Sequence, residues 1–382
     1  MKLYVCIPTF NEADNIEAIT GIVDSGLQKV VEKYSDISPV IFNMDSASSD
    51  GTPFLFKNTQ TVFQKRSEVL SEKGKGRNLL EFIKYAKTDD VDYCITIDAD
   101  ISSATPDWIE EMLEPLVSGS AQFVTPIYER SRFEGSTTNH FAFPTVFAFS
   151  GLSVRQPIGG DFAFSKDFIS KVCKFKVSEG TFFYGIDIFL TLIALSQNLK
   201  IKQVLLGKKI HSPSFRNLEF MFPQIAESAV NVLRQVNSLP NYAEVKDIKS
   251  NIIESNVFKH KDEAYSMLTR AYSNIIKMNR SDLEWLPDSA QSMVRDIKNS
   301  KEGITISSRI WVDILSSWYT NLLTDKSVDL KLMARSLLPF FVLRSVGFWF
   351  ASENMLLSDV ENEINNQAHN FSSQGVFKYI GK

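Results

Sequence analysis

Two textures of apolar and polar positions divide the chain. In the first half, short β-branched runs give way to stretches with apolar residues three and four apart. Lys2–Thr9 has a strand pattern, and Asn15–Val31 then carries Ile16, Ile19, Ile22 and Val23 at helical spacing. Pro39–Met44 reads as a second strand, closed by the polar turn DSASSDGT that starts at Asp45. Asn78–Ala86 reads as a helix, Asp92–Ile97 as a strand ending in Asp98-Ala99-Asp100, and Trp108–Val117 as a helix. Ile188–Leu195 is an apolar helix, and VLLGKKI before His211 is another strand-like run. This rhythm predicts an α/β fold, a mostly parallel sheet with helices on both faces. In such sheets ligands sit beyond the carboxyl ends of the strands. The polar clusters Asn11–Asn15, Asp45–Gly51 and Asp98–Asp100 all fall at such ends.

After about Arg216 the pattern becomes helical. Long amphipathic stretches run over Leu218–Val236, Asp262–Lys277, Asp288–Lys298, Ile304–Leu323 and Leu330–Ser352, punctuated by Pro240 and Pro287. The expected division is therefore an α/β domain over 1–216 and an α-helical domain over 217–382. These stretches exceed what one short domain needs, which leaves room for a homodimer.

Composition narrows the classes. A chain of 382 residues with 44% hydrophobic residues can bury a full core, which excludes a disordered chain. The net charge of −4 argues against a nucleic-acid binder, which needs a basic surface. The cysteines Cys6, Cys94 and Cys173 fit no zinc spacing, and two lie in apolar runs, as buried thiols of a reducing compartment do. The N-terminus lacks the pattern of a secretory signal. The longest uncharged apolar stretch, Phe141–Val154, has 14 residues, short of the ~18–20 that span a bilayer, so no integral membrane segment and a cytoplasmic location are expected.

Several motifs carry chemistry. Asp98 and Asp100, two apart after an apolar strand, can hold a hard cation and leave coordination sites open for phosphate oxygens, or can simply close a turn. His211, after its own strand, can reach a metal held by Asp100, or can be structural; a carboxylate, an imidazole and a diphosphate suit Mg²⁺ or Mn²⁺. Lys73-Gly74-Lys75-Gly76-Arg77 is a Gly-rich basic loop leading into a helix, suited to a pyrophosphate or merely exposed. Asp45 can accept an N–H from a nucleobase or form an Asx-turn with its neighbouring serines. Gly159 and Gly160 in QPIGGD allow close approach to a ligand or form an ordinary turn. Asp187 in YGID can face an acceptor site or cap a helix. Arg130 and Arg132 can clamp an anion or lie on the surface.

In this order, IPTFNEADNI, NMDSASSDGT, the KGKG loop and the DAD strand end resemble the nucleotide-sugar domain of GT-A fold, family-2-like glycosyltransferases. QPIGGD, YGID and GKKIH, with the helical C-terminal part, are similar to the retaining glucosyl-3-phosphoglycerate and mannosylglycerate synthases. The resemblance implies a metal-dependent transferase that moves a hexose from a nucleoside diphosphate sugar, UDP-glucose or GDP-mannose, to a small anionic acceptor with retention. It implies Pro8, Thr9, Glu12 and Asp45 around the nucleoside and Lys75 near the diphosphate. Asp98 and Ala99 would touch the nucleotide sugar, Asp100 and His211 the metal, and Gly159 and Gly160 the sugar or acceptor. Asp187 would face the reacting sugar and Arg130 would clamp the acceptor. The stretch from Arg132 to Val154 offers few further basic residues, which leaves glycerate open beside 3-phosphoglycerate.

The mechanism implied follows from charge. Cleavage of the anomeric C–O bond loads negative charge onto the departing diphosphate, and a divalent cation with Lys75 would stabilise it. A glycosidase pair needs two separated carboxylates and a water, which the closely spaced DAD does not offer. Two other readings compete: an inverting transferase acting on a lipid phosphate or polysaccharide at the membrane, motivated by Phe141–Phe149 and Phe340–Phe350, and a non-catalytic nucleotide-sugar-binding interaction protein.

Overall fold

The structure, a computed structural model, describes residues 1–210, 217–242, 252–253, 258, 260–300 and 303–381. It divides into two compact units. The first comprises residues 1–129 and 156–213, the second residues 130–155 and 214–382. The segment 130–155, which the sequence pattern leaves in the first domain, thus belongs to the second.

In the first unit, β1 (Lys2–Thr9), α1 (Ile16–Lys33), β2 (Ser38–Asp45), α2 (Thr52–Asn58), β3 (Gln64–Val69), α3 (Lys75–Thr88), β4 (Tyr93–Thr96), α4 (Asp107–Val117) and β5 (Phe123–Ser131) follow one another. After α5 (Phe143–Ser150) of the second unit come β6 (Phe162–Ser165), α6 (Lys166–Val172), α7 (Ile186–Ser196) and β7 (Ile201–Lys208). The strand order is β3-β2-β1-β4-β6-β5-β7. β1, β2, β3 and β4 run parallel, as do β5 and β7, and β6 is antiparallel to both of its neighbours.

β1 is central and buried on both faces, which is why it reads as a continuous apolar run. Its odd residues Leu3, Val5 and Ile7 pack with Ile16, Ile19, Val23, Leu27 and Val30 of α1 and with Trp108, Ile109, Met112 and Leu113 of α4. On the opposite face, Tyr4 stacks near Phe42, which meets Phe82 of α3 edge-on. Helices therefore cover both faces, as the alternation predicts. β3 and β6 escape the pattern for physical reasons. β3 (QKRSEV) is a half-buried edge strand with no apolar alternation, and β6 has only four residues.

The second unit is helical: a π-helical turn (Thr138–Ala142), α5, α8 (Leu218–Leu233), a two-residue strand β8 (Ile252–Ile253), α9 (Lys261–Lys277), α10 (Asp288–Ser300), α11 (Ser308–Thr324), α12 (Leu330–Ser352) and α13 (Leu357–Ser373). Ser307 and Asp329 cap α11 and α12 by accepting the N–H of Ile310 and Leu332. The core is aromatic. Phe222 stacks on Phe341 with ring centroids 3.8 Å apart, and Phe141 meets Phe222 edge-on. Phe141, Phe143, Val146 and Phe149 from 130–155 are all buried here, which explains why this apolar run joins the helices. α12 is long and apolar enough to cross a membrane, but 78% of its apolar window is buried within the protein. Its Arg344 is buried as well, bonded to Gln367 at 2.9 Å and to Glu363 at 3.0 Å. Most of Phe141–Phe149 and of Phe340–Phe350 is core, so the feature that motivated a membrane-bound enzyme is packing.

Candidate active site

The loops after β1 and β2 are laced together. Asn11 N–H donates to the Ser48 hydroxyl (2.7 Å), Glu12 N–H to Thr52 (2.8 Å) and Ala13 N–H to Asp50 (2.9 Å). Asp45 is fully buried. One of its oxygens accepts the Ser48 N–H (2.8 Å), the other the hydroxyls of Thr9 (2.8 Å) and Ser48 (2.6 Å). Asp45 thus forms the Asx-turn and also ties its loop to β1 through Thr9. Pro8 and Thr9 are buried in β1. The Glu12 carbonyl accepts the N–H of Asn15 and Ile16 at the start of α1, and its carboxylate accepts the Asn15 amide at 2.7 Å. Burial, with Asp100 and Asp98 nearby, raises the Glu12 carboxyl despite that bond.

A buried charged cluster lies at the ends of β4 and β7. Lys75, the first residue of α3, reaches Asp98 at 2.7 Å and Asp187, near the start of α7, at 3.6 Å. Lys209, just past β7, donates to Asp161 (2.9 Å), to the Gly159 carbonyl (2.9 Å) and to Asp98 (3.4 Å). Asp161 also accepts the Tyr128 hydroxyl and the Asp98 N–H. Gly160 is indispensable in the middle. Its φ is +93°, and a Cβ there would sit 2.3 Å from the Asp98 carboxylate and 3.2 Å from the Lys75 ammonium.

The electrostatics are uneven. Burial would strip the proton from Lys75, but Asp187 and Asp98 outweigh it and hold the ammonium charged. Burial opposes the charge on Asp98, but Lys75 and Lys209 prevail and bring its carboxyl down to about 2. For Asp187 burial prevails over Lys75, and its carboxyl is pushed up to about 6. One Asp187 oxygen is buried without any hydrogen bond. Asp100 is raised by burial and then by Asp98. It is half-buried, and no hydrogen bond or ion pair engages it among the described residues.

The cluster brings together four residues singled out in the sequence, Lys75, Asp98, Gly160 and Asp187, with Gly159 contributing its carbonyl and Ala99 buried beside Asp98. The Gly-rich loop differs from its expected form. Lys73 points to Phe10, 4.5 Å from the ring, whereas Lys75 points inward. A Cβ on Gly76 would come within 1.9 Å of the Thr181 carbonyl, so this glycine permits α3 to approach the turn before α7. Arg130 lies at the end of β5 within the second unit, where it pairs in register with Ile252. His211 lies outside the described residues. Lys209, Asp161 and Tyr128 escaped the sequence reading. Asp161 ends the QPIGGD motif and was visible, but Lys209 looks like any lysine at a strand end.

Residues 4–172 match the family described as Glycosyl transferase family 2. The matched stretch runs from β1 to the end of α6 and takes in residues 130–155 of the second unit. The sheet is accordingly of the GT-A-like type, with a helical region C-terminal to it, and the chain is a glycosyltransferase. Glucosyl-3-phosphoglycerate synthase from Mycobacterium tuberculosis, solved with Mn²⁺, UDP-glucose and phosphoglyceric acid, is similar to this transferase. It is 25% identical over 63% of this chain and 81% of that one, with a TM-score of 0.49. The same synthase with Mg²⁺ and UDP is 22% identical over 63% and 80%, with a TM-score of 0.48. A structure described only as a mycobacterial protein is 21% identical over 63% and 76%, again with a TM-score of 0.48. No curated protein matches the transferase.

Proposed function

We propose that this glycosyltransferase moves a hexose from a nucleoside diphosphate sugar, UDP-glucose or GDP-mannose, to a small anionic acceptor such as glycerate or 3-phosphoglycerate, with retention at the anomeric carbon. The observation that carries the reading is the charged cluster at the DAD turn of a family 2 domain. Asp98 is committed to two lysines, and Asp100 has no hydrogen bond or ion pair among the described residues.

The donor set fits a hard divalent cation. Among the described residues Glu12, Asp98, Asp100, Asp161 and Asp187 outnumber the two ammonium groups, and Asp100 makes no hydrogen bond or ion pair there. Among the described residues no group of three or more His, Cys, Asp or Glu side chains is arranged to hold a metal by itself. In this reading phosphate oxygens complete the site, with Asp100 and His211 as protein ligands; His211 lies outside the described residues. Ile210, which precedes His211, is bonded to Ser102 and Ser103, just past Asp100. Mg²⁺ or Mn²⁺, when bound, stabilises charge on the departing diphosphate.

The chain's own groups do the rest. Lys75 stays protonated and presents a positive charge beside the leaving group. Asp187, whose buried Oδ1 makes no hydrogen bond but lies 3.6 Å from the Lys75 ammonium, accepts a hydroxyl of the donor sugar and orients it. The acceptor hydroxyl forms the new bond to the anomeric carbon as the bond to the diphosphate oxygen breaks, and its proton passes to that oxygen. The QPIGGD and YGID motifs support a glycerate-type acceptor, with Arg130 as its anion clamp. Three free cysteines suit a reducing compartment, the cytoplasm.

The test is a thermal-shift screen of UDP-glucose, GDP-mannose and related donors with and without Mn²⁺, followed by product analysis with glycerate and 3-phosphoglycerate. One donor should raise the melting temperature in a Mn²⁺-dependent manner. An α-linked product from an α-linked donor establishes retention. Donor binding without transfer to any acceptor would overturn the reading in favour of a nucleotide-sugar-binding protein.

A further inference from the structure

The Gly-rich loop that carries Lys75 is packed against the 3-10 turn Gly180–Phe182, which leads to Asp187. A Cβ on Gly74 would collide with the Phe182 carbonyl, and one on Gly76 with the Thr181 carbonyl. The Gly76 N–H donates to the Phe183 carbonyl at 3.1 Å. Both glycines thus serve the close approach of two backbones. On its other side the loop is tied to the ends of β1 and β2. The Gly74 N–H donates to the Ser46 hydroxyl (3.3 Å), which donates to the Asn78 side chain (2.9 Å), whose amide donates to the Thr9 carbonyl (3.2 Å). Arg77 covers the junction with the turn. Its guanidinium lies 4.3 Å from the centre of the Phe182 ring and 5.9 Å from that of Phe183. Its ion pair, at 2.6 Å, is with Glu72, whose side chain is 63% exposed, and its Nε is buried without a hydrogen bond. An exposed ion pair contributes little to stability, and a buried N–H without an acceptor detracts from it. What the side chain does hold is the turn, through the face of the Phe182 ring.

We propose that Arg77 is a positioning residue: stacked on Phe182, it locks the Lys75 loop to the turn before α7 and so fixes the Lys75 ammonium relative to the Asp187 carboxylate. This role rests on the reading of Lys75 beside the departing diphosphate and of Asp187 on the donor sugar. The two residues come from opposite sides of the junction. Asp98 holds the ammonium at 2.7 Å, but the approach of Lys75 to Asp187, at 3.6 Å, is too long for a hydrogen bond and cannot hold the turn by itself. Arg77 and the Gly76 N–H do so from behind. A displacement of about 1 Å between groups that act on one reacting centre costs on the order of 100-fold in rate, so this spacing governs turnover. In the sequence Arg77 reads as one more cation for a phosphate; the structure seats it on an aromatic ring instead.

The experiment uses the full chain at saturating Mn²⁺ and the variants Arg77→Met, Arg77→Lys, Phe182→Leu, Arg77→Met/Phe182→Leu and Lys75→Met. Turnover is followed with whichever of UDP-glucose and GDP-mannose the wild type uses, and binding of the matching UDP or GDP by calorimetry. Arg77→Met leaves only the exposed Glu72 without its partner, so its melting temperature should stay that of the wild type. Its kcat should fall ~10-fold or more, with the donor KM and the nucleotide dissociation constant within about 2-fold of wild type, the pattern of a contact that counts in the transition state. Arg77→Lys should recover part of the loss, because an ammonium can still lie over the ring. Phe182→Leu should reproduce the loss, and the double variant should add nothing to it. Wild-type kcat in Arg77→Met, or losses that add in the double variant, overturns the brace alone. So does a fall in melting temperature and nucleotide affinity in step with kcat, which marks a role in folding only. If Arg77→Met fails to fold, Arg77→Lys and Phe182→Leu decide by the same criteria. If the wild type turns over neither donor, or Lys75→Met matches it in nucleotide affinity and turnover, the reading of Lys75 itself fails and the brace with it.

Discussion

Asp187→Asn should make the protein more stable and inactive at once. The Asp187 carboxyl is pushed from its ordinary 3.8 up to about 6, because burial outweighs the help of Lys75. The folded chain therefore holds this proton more tightly than the unfolded chain. Between the two values the folded state binds more protons, so stability falls as pH rises and stays reduced above pH 6. Two pH units correspond to about 3 kcal/mol at neutral pH. Asparagine mimics the protonated acid in shape and is free of that cost. Urea unfolding of wild type and variant from pH 3.5 to 8 should show a difference near zero at the acid end, growing to about 3 kcal/mol in favour of the variant by pH 7. Transfer should meanwhile be lost, with donor binding retained in calorimetry. A variant that is less stable than wild type at pH 8, or a difference that does not change with pH, would refute the reasoning.

Other substitutions test neighbouring parts of the argument. Gly160→Ala combines a backbone at φ +93° with a Cβ 2.3 Å from the Asp98 carboxylate, and should cost about 1–2 kcal/mol from the backbone alone and abolish activity, read by denaturation and by turnover. Asp100→Ala should leave metal-free stability unchanged or slightly raised, since it removes a carboxylate that burial and Asp98 already disfavour, while eliminating the Mn²⁺-dependent thermal shift. Phe341→Ala deletes the ring stacked on Phe222 in the fully buried core of the helical unit and should cost about 3–5 kcal/mol in urea unfolding, without altering donor specificity.

Central elements were legible because burial and periodicity coincide in them. β1 is apolar on both faces, and α1 and α4 carry apolar residues at strict three- and four-residue spacing. β3 was not legible, because an edge strand with charged residues at half its positions shows no period. The site was legible where a motif carries the chemistry: Asp98, Asp100 and Asp187 could be named from strand-end and helix-start position. Their division of labour could not. That Asp98 pairs with Lys75 and Lys209 depends on loops more than 100 residues apart in sequence meeting at one point. The bonds of Asp45 were legible only in part, because its carboxylate accepts the Ser48 amide and hydroxyl within the turn and also the Thr9 hydroxyl from β1.

The helical unit is assembled from two separate stretches of chain, residues 130–155 and 214–382. A polypeptide halted near residue 213 would therefore display Phe141, Phe143, Val146 and Phe149 with none of the helices that normally cover them. Such a fragment should be sticky and prone to associate with itself, so trimming the C-terminal half is a poor route to a minimal enzyme. On the ribosome the same phenylalanine-rich segment emerges well before α11 and α12 are made. It must wait for more than half of the remaining synthesis before those two helices can cover it.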